Sequence, residues 1–119
     1  MYELKVIDTF SAAHALRGYK GECERIHGHN YKVEVILKGD TLDDVGMLVD
    51  FKEVKKYLKK TIEPLDHNFL NELSPFVELN PTSENIAKYI YSELKNIFKN
   101  KIDSVIVWEN FNNASKYYE

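Results

Sequence analysis

Along residues 2–15 apolar and polar side chains alternate. Tyr2, Leu4, Val6, Asp8, Phe10, Ala12 and His14 share one parity, against Glu3, Lys5, Thr9 and Ser11 on the other, with Ile7 and Ala13 as exceptions. A period of two over this length predicts a long half-buried strand, with His14 on its apolar face if no bulge intervenes. Gly18 and Gly21 interrupt the pattern, so Arg17 to Arg25 reads as a loop. Alternation resumes from about His27 to Lys38. His27, His29, Tyr31, Val33, Val35 and Leu37 fall on one parity, and Asn30, Lys32, Glu34 and Lys38 on the other. Both histidines therefore lie on the face that carries the apolar residues further along.

The period then changes. Asp50 is a candidate N-cap for a helix whose apolar stripe is Phe51, Val54, Leu58 and Ile62, with lysines on the remaining surface and Pro64 as its stop. A loop carries Leu65-Asp66-His67-Asn68. Pro81 and Thr82 open a second helix, with Thr82 as N-cap, Glu84 in the first turn and a buried stripe of Ile86, Ile90, Leu94 and Ile97. Ile102 to Glu109 reads as a strand with apolar residues on both parities, Asn112-Asn113 as a turn, and Ala114 to Tyr118 as a short last strand. The order is β-β-α-α-β-β. This predicts an α+β fold with a four-stranded antiparallel sheet and two helices on one face. The other sheet face, apolar in its last two strands, then calls for a partner, so an oligomer is expected.

A length of 119 residues fits one domain, taken as 1–119, and 44% apolar residues supply a core. Sixteen basic residues against nineteen acidic ones give a net charge of −3, which offers no electrostatic case for binding nucleic acid or a membrane surface. Arg17 and Arg25 are the two arginines. A single cysteine excludes an internal disulfide, the apolar runs are too short to span a membrane, and Met1-Tyr2-Glu3-Leu4-Lys5 lacks the apolar core of a signal peptide. A cytoplasmic protein with a reduced thiol is expected.

The chemistry concentrates in Cys23-Glu24-Arg25-Ile26-His27-Gly28-His29. On a strand, side chains at i and i+2 share a face about 6.6 Å apart, close enough for two imidazoles to converge on one ion. A catalytic zinc site needs a third protein ligand and keeps the fourth position open. His14, presented by a neighbouring antiparallel strand, is the best candidate. Cys23 is open to two readings: a base or nucleophile beside the metal, or a fourth ligand closing a structural site without catalysis. Asp66 beside His67 can orient an imidazole and hold its tautomer, as proton transfer requires. Glu109, at a strand end, reads first as a solvated carboxylate. Its second reading is an acceptor of two hydrogen bonds from a planar amidine-like group. A hydrolytic zinc enzyme with three histidine ligands would leave Cys23 and Glu109 without a role.

Several segments occur together in order: Phe10-Ser11-Ala12-Ala13-His14, Cys23-x3-His27-Gly28-His29, Val49-Asp50-Phe51 after Gly46, Leu65-Asp66-His67-Asn68, Asn80-Pro81-Thr82-Ser83-Glu84, and Glu109. In this the chain resembles the 6-pyruvoyl-tetrahydropterin synthase superfamily over nearly its whole length. The resemblance implies the tunnelling fold, whose sheets close into a barrel by trimerisation, with trimers stacking into a homohexamer. It implies Zn2+ held by His14, His27 and His29, Cys23 as the proton-shuttling thiol, and Asp66 and His67 as its catalytic partners supplied across a subunit interface. Glu109 would anchor the 2-amino group and adjacent nitrogen of a pterin, helped by Thr82 and Ser83. Three residues between the cysteine and His-Gly-His look like the 6-carboxy-tetrahydropterin synthases of the queuosine pathway. Those enzymes take 7,8-dihydroneopterin triphosphate and release acetaldehyde and triphosphate. A pyruvoyl-forming enzyme is the nearest alternative. Glu22 and Glu24 beside Cys23 keep an aldolase-like cleavage of dihydroneopterin-type substrates in view.

Overall fold

The computed structural model describes residues 1–21 and 24–119. Two long strands, β1 (Tyr2–His14) and β2 (His27–Gly39), pair antiparallel along their whole length, with Val6 opposite Val35, Phe10 opposite Tyr31 and His14 opposite His27. Because the register is unbroken, one parity of each strand faces inward throughout. Phe10 and Tyr31 stack there with ring centroids 4.8 Å apart. Strand β4 (Ile102–Trp108) pairs with the other edge of β2, and β5 (Ala114–Tyr118) with β4, both antiparallel.

Two helices close the inner face. In α1 (Phe51–Ile62) the Asp50 carboxylate accepts from the Lys52 N–H at 2.8 Å, Glu53 lies in the first turn and Lys59 and Lys60 in the last, so both ends of the dipole are complemented. In α2 (Ser83–Phe98) the Thr82 hydroxyl accepts from the Asn85 N–H at 3.2 Å. Val54, Leu58 and Ile62 from α1 and Ile86, Ile90 and Leu94 from α2 join Val33, Val35, Leu37, Val105 and Val107 of the sheet in one core. Burying each of these aliphatic side chains contributes about 1.5–3 kcal/mol. No helix among the described residues is long and apolar enough to cross a membrane.

The structure corrects three expectations. The sheet has five strands, in the order β3-β1-β2-β4-β5, because the two-residue β3 (Asn68–Phe69) pairs parallel with Ala12 and Ala13 at the edge of β1. The sheet is therefore mixed. In α2 the buried stripe ends on Phe98, not Ile97, which stays 38% exposed. The inward series Ile86, Ile90, Leu94, Phe98 runs in steps of four, and Ile97 is rotated off it. In α1 the stripe begins at Val54, whereas Phe51, in the first turn, is 51% exposed.

The helix-free face of the sheet is not uniformly polar. Cross-strand pairing aligns Ile7, Glu34, Ile106 and Lys116 there, flanked by Trp108 and Tyr118. Glu34 is buried on this face, accepts from the Trp108 indole N–H at 3.0 Å and has Lys5 at 3.9 Å.

Candidate metal centre and its surroundings

The hairpin register sets the centre. His14 lies directly opposite His27, and His29 is paired with Ala12, the next inward position of β1. Shared parity then places all three imidazoles on the inner face at one end of the sheet. Their ring centroids are 4.5–5.1 Å apart and one ligating atom from each lies within 4.8 Å of the others. Tyr31, the next inward residue of β2, packs edge-on beneath His14 and His29.

Backbone carbonyls fix how two of these rings present themselves. His14 Nδ1 is 2.6 Å from the Pro81 carbonyl oxygen and His27 Nδ1 is 2.8 Å from that of Arg25. A carbonyl only accepts, so each Nδ1 carries the proton and each Nε2 keeps its lone pair. Those two Nε2 atoms face each other at 2.9 Å. The Nε2 of His29 is buried beside them with no hydrogen-bond partner among the described residues. Buried polar atoms are rarely left unsatisfied, and the two facing lone pairs of His14 and His27 repel. A cation bound by all three relieves both problems, and an all-imidazole set suits a borderline divalent metal. Burial lowers the pKa of His14, against the Pro81 carbonyl and more weakly the Glu109 charge, and lowers that of His29 against Glu109, so both rings are neutral and able to ligate at neutral pH.

The other predicted site residues are distributed around this centre. Cys23 lies outside the described residues. Glu109, immediately after β4, lines a cavity of about 420 Å³ together with His29, Lys32 and Trp108. Asp66 and His67 form a pair, Oδ2 to Nδ1 at 3.0 Å, with the His67 side chain 82% exposed. The pair is tied to β1, since Asp66 Oδ1 accepts from the Ser11 N–H at 2.9 Å and the His67 N–H donates to the Ser11 carbonyl at 2.6 Å. These bonds, the Ser11 one foremost, lower the pKa of Asp66. Ser11 has the parity opposite to His14, and His67 joins Gly28, His29 and Asn30 around a second cavity, of about 500 Å³. Of the three clustered histidines, His29 lines this cavity together with His67, whereas His14 and His27 are not among its lining residues. Thr82 spends its hydroxyl on capping α2, and the Ser83 hydroxyl bonds Glu84 at 3.0 Å and Ser115 at 2.6 Å. Neither residue lines the cavity with Glu109.

Sequence reasoning missed the residues that hold this end of β1. Asn71 accepts from the Ala15 N–H at 2.9 Å and donates to the Ala15 carbonyl at 2.8 Å; Asn80 repeats the arrangement on Arg17 at 2.9 and 2.8 Å. The Arg17 guanidinium in turn donates to the carbonyls of Asn71, Phe76 and Leu79. Residues 71–80 are thus clasped to the chain just beyond His14, which brings the Pro81 carbonyl to its ring. Asn80 sits inside a segment the sequence singled out; nothing in the pattern marked Asn71.

The model of the family described as 6-pyruvoyl tetrahydropterin synthase matches residues 3–119. The chain is 30% identical to a 6-carboxy-5,6,7,8-tetrahydropterin synthase of Haemophilus influenzae, over 100% of both chains. It is 36% identical to a protein of the same description from Synechocystis, over 92% of this chain and 88% of the relative. The structure of Caenorhabditis elegans 6-pyruvoyl tetrahydropterin synthase superposes with a TM-score of 0.90 at 30% identity, covering 99% of this chain and 95% of that one. Matched along almost its whole length in sequence and in fold, the chain belongs to the 6-pyruvoyl tetrahydropterin synthase family and is a lyase of that family.

Proposed function

We propose that this chain is a zinc-dependent 6-carboxy-5,6,7,8-tetrahydropterin synthase, converting 7,8-dihydroneopterin triphosphate to the carboxylated product with release of acetaldehyde and triphosphate. The observation that carries the reading is the set of three convergent imidazoles with an unpartnered buried Nε2 on His29. The product choice is supported by relatives of that description over most of the chain and by the three residues between Cys23 and His27. Domain 1–119 would act as a cytoplasmic homohexamer, a dimer of trimers, whose assembly covers the helix-free sheet face.

His14, His27 and His29 would hold the zinc, which when bound polarises the hydroxyl oxygens of the substrate side chain as a Lewis acid. Cys23 would take a proton from the adjacent carbon as thiolate. Asp66 fixes the His67 Nδ1 proton inward and leaves Nε2 free to exchange a proton. Glu109 would accept from the 2-amino group and neighbouring ring N–H of the pterin as a planar bidentate partner. Thr82 and Ser83 would contribute through the start of α2, next to the carbonyl that orients His14.

A second reading, the pyruvoyl-forming reaction without carbon–carbon cleavage, draws on the close superposition with the C. elegans enzyme. Incubation of the metal-loaded protein with 7,8-dihydroneopterin triphosphate separates the two. A carboxytetrahydropterin mass with one equivalent of acetaldehyde supports the first reading. A pyruvoyl product without acetaldehyde supports the second, and no turnover by a fully zinc-loaded hexamer refutes both.

A further inference from the structure

The loop that carries Asp66 and His67 holds a conformation that an unsupported chain would leave. His67 has a φ of 59°, in the left-handed region that a residue with a Cβ rarely occupies. The main chain is fixed on both sides of this turn. The His67 N–H donates to the Ser11 carbonyl at 2.6 Å, and the next residue, Asn68, pairs with Ala12 in β3. The change of direction therefore falls within His67 itself.

The Asn68 side chain spans that turn. Its Nδ2 donates to the Asp66 carbonyl at 3.0 Å, two residues back across His67, and to the Pro64 carbonyl at 2.9 Å. Both partners are carbonyls, which only accept, so the two bonds use both protons of the amide nitrogen. An aspartate in its place would have no proton to offer, and a serine only one. Asp66 is thereby held at every polar atom it has. Its N–H donates to the Ile62 carbonyl at 3.1 Å, its carbonyl accepts from Asn68, Oδ1 accepts from the Ser11 N–H at 2.9 Å, and Oδ2 meets His67 Nδ1 at 3.0 Å. The peptide joining Asp66 to His67 is anchored through its N–H by Ser11 and through its carbonyl by Asn68. Without the amide it is held from one side only. The left-handed φ can then relax and carry the imidazole off the Asp66 carboxylate. Asn68 is itself exposed and takes no part in the apolar core, so its side chain serves the loop and not the packing.

We propose that Asn68 is the positioning residue of the Asp66–His67 pair, bracketing His67 so that its Nδ1 stays on the carboxylate and its Nε2 stays open. The part of the pair in proton transfer rests on the proposed function. The bracket acts within the loop, whichever subunit's site the pair serves.

The test uses the zinc-loaded, assembled protein with isotopically labelled histidine nitrogens. Wild type is compared with Asn68→Leu, which keeps the bulk without the donors, and with Asn68→Gln, which keeps the donors a methylene farther out. Nitrogen NMR reads the His67 tautomer, beside zinc titration and steady-state kinetics on 7,8-dihydroneopterin triphosphate. In wild type neutral His67 is expected in the Nδ1–H form, because the nitrogen that faces the carboxylate keeps the proton. Asn68→Leu should shift it toward the Nε2–H form that a free imidazole prefers. The same variant should lower kcat by roughly tenfold, a part of the ~10²–10⁴ that a placed acid–base group supplies, with KM and zinc affinity unchanged. Asn68→Gln should recover part of both losses. A wild-type tautomer ratio in Asn68→Leu overturns the proposal, as does a shifted tautomer with full kcat. So does a loss of zinc affinity or of assembly in Asn68→Leu that matches the loss in kcat, since Asn68 then acts through the fold. A tautomer that depends on Asn68 in a protein that turns over no substrate leaves the positioning standing and refutes the proposed reaction instead.

Discussion

Asn71→Ala tests whether the clasp beyond His14 maintains the metal centre. The Asn71 amide supplies one more rung to β1 after the strand has ended, donating to and accepting from the same residue, Ala15, at 2.8 and 2.9 Å in a partly buried setting. Alanine removes both hydrogen bonds and leaves the Ala15 N–H and carbonyl without partners. At about 1 kcal/mol net per bond, with an added penalty where the freed groups stay dry, the loss should be about 2–3 kcal/mol. For a domain of this size that lowers Tm by about 10 °C. The same substitution acts on the site, because Ala15 adjoins His14 and the clasp brings up the Pro81 carbonyl that sets the His14 tautomer. Zinc affinity should fall by about tenfold, equivalent to 1.4 kcal/mol. Asn80→Ala removes the same pair of bonds from Arg17 in an exposed setting, so a smaller stability loss of about 1 kcal/mol or less is expected. Asn80 adjoins Pro81, so the zinc affinity of this variant should fall as well. Urea unfolding of the chelated proteins and competitive zinc titration measure both quantities. If Asn71→Ala unfolds within about 0.5 kcal/mol of wild type, or neither variant loses zinc affinity, the clasp does not work as argued.

Three further outcomes follow from the same geometry. His29→Leu removes a buried nitrogen that has no partner, so the chelated protein should lose no stability and gain up to about 1 kcal/mol. Zinc at a hundredfold excess over Kd, which should add about 2.7 kcal/mol to wild type, should add nothing to the variant; thermal melts with and without zinc decide, and a loss of stability in the metal-free variant would contradict the reading. The Asp66 carboxyl, its pKa lowered mainly by the Ser11 N–H, should titrate by carbon NMR below the ordinary aspartate range near 3.9. Since the folded value is the lower one, the stabilisation is present above pH 4 and fades as pH falls through the folded value; a midpoint at or above the ordinary one would remove the Ser11 bond from the account. Ile106→Glu, at the centre of the helix-free sheet face opposite Glu34, should dissociate the oligomer in light scattering while circular dichroism stays unchanged; an intact oligomer would place the interface elsewhere.

What could be read from the sequence depended on how local the determining physics is. The parity of residues 2–14 and 27–37 carried the strand faces, and with them the shared side of His27 and His29, because alternation is a property of consecutive residues. His14 could be nominated from its parity, but the pairing of His14 with His27 is fixed by the whole hairpin, across a loop whose sequence does not specify register. Asp50 and Thr82 announced their helices because capping is a side chain bonding a backbone N–H a few residues on. β3 was invisible since two residues cannot display a period; it forms because Asp66 and His67 bond Ser11 far away in sequence. The carbonyls of Pro81 and Arg25, which set the imidazole tautomers, belong to the main chain and leave no residue-type signature. Ile97 and Phe98 differ by 100° of helix rotation, a distinction that packing makes and composition does not.

The proposal that His67 serves the site of a neighbouring subunit makes assembly part of the chemistry. The His67 main chain bonds Ser11, which has the parity opposite to His14, while the three clustered imidazoles share the inner parity. The bonds from the Ser11 N–H to Asp66 at 2.9 Å and from the His67 N–H to the Ser11 carbonyl at 2.6 Å hold the pair at the edge of β1. The 82% exposure of the His67 side chain is then expected of a group waiting for a second copy of the chain. Complementation between inactive variants tests this directly. Cys23→Ala and His67→Ala should each be inactive alone as assembled oligomers. Dissociated, mixed in equal amounts and reassembled, they should recover about one quarter of wild-type activity, since each site takes its thiol from one subunit and its imidazole from another at random. If both residues served the same chain's site, every site in the mixture would still lack one of them and no activity would return.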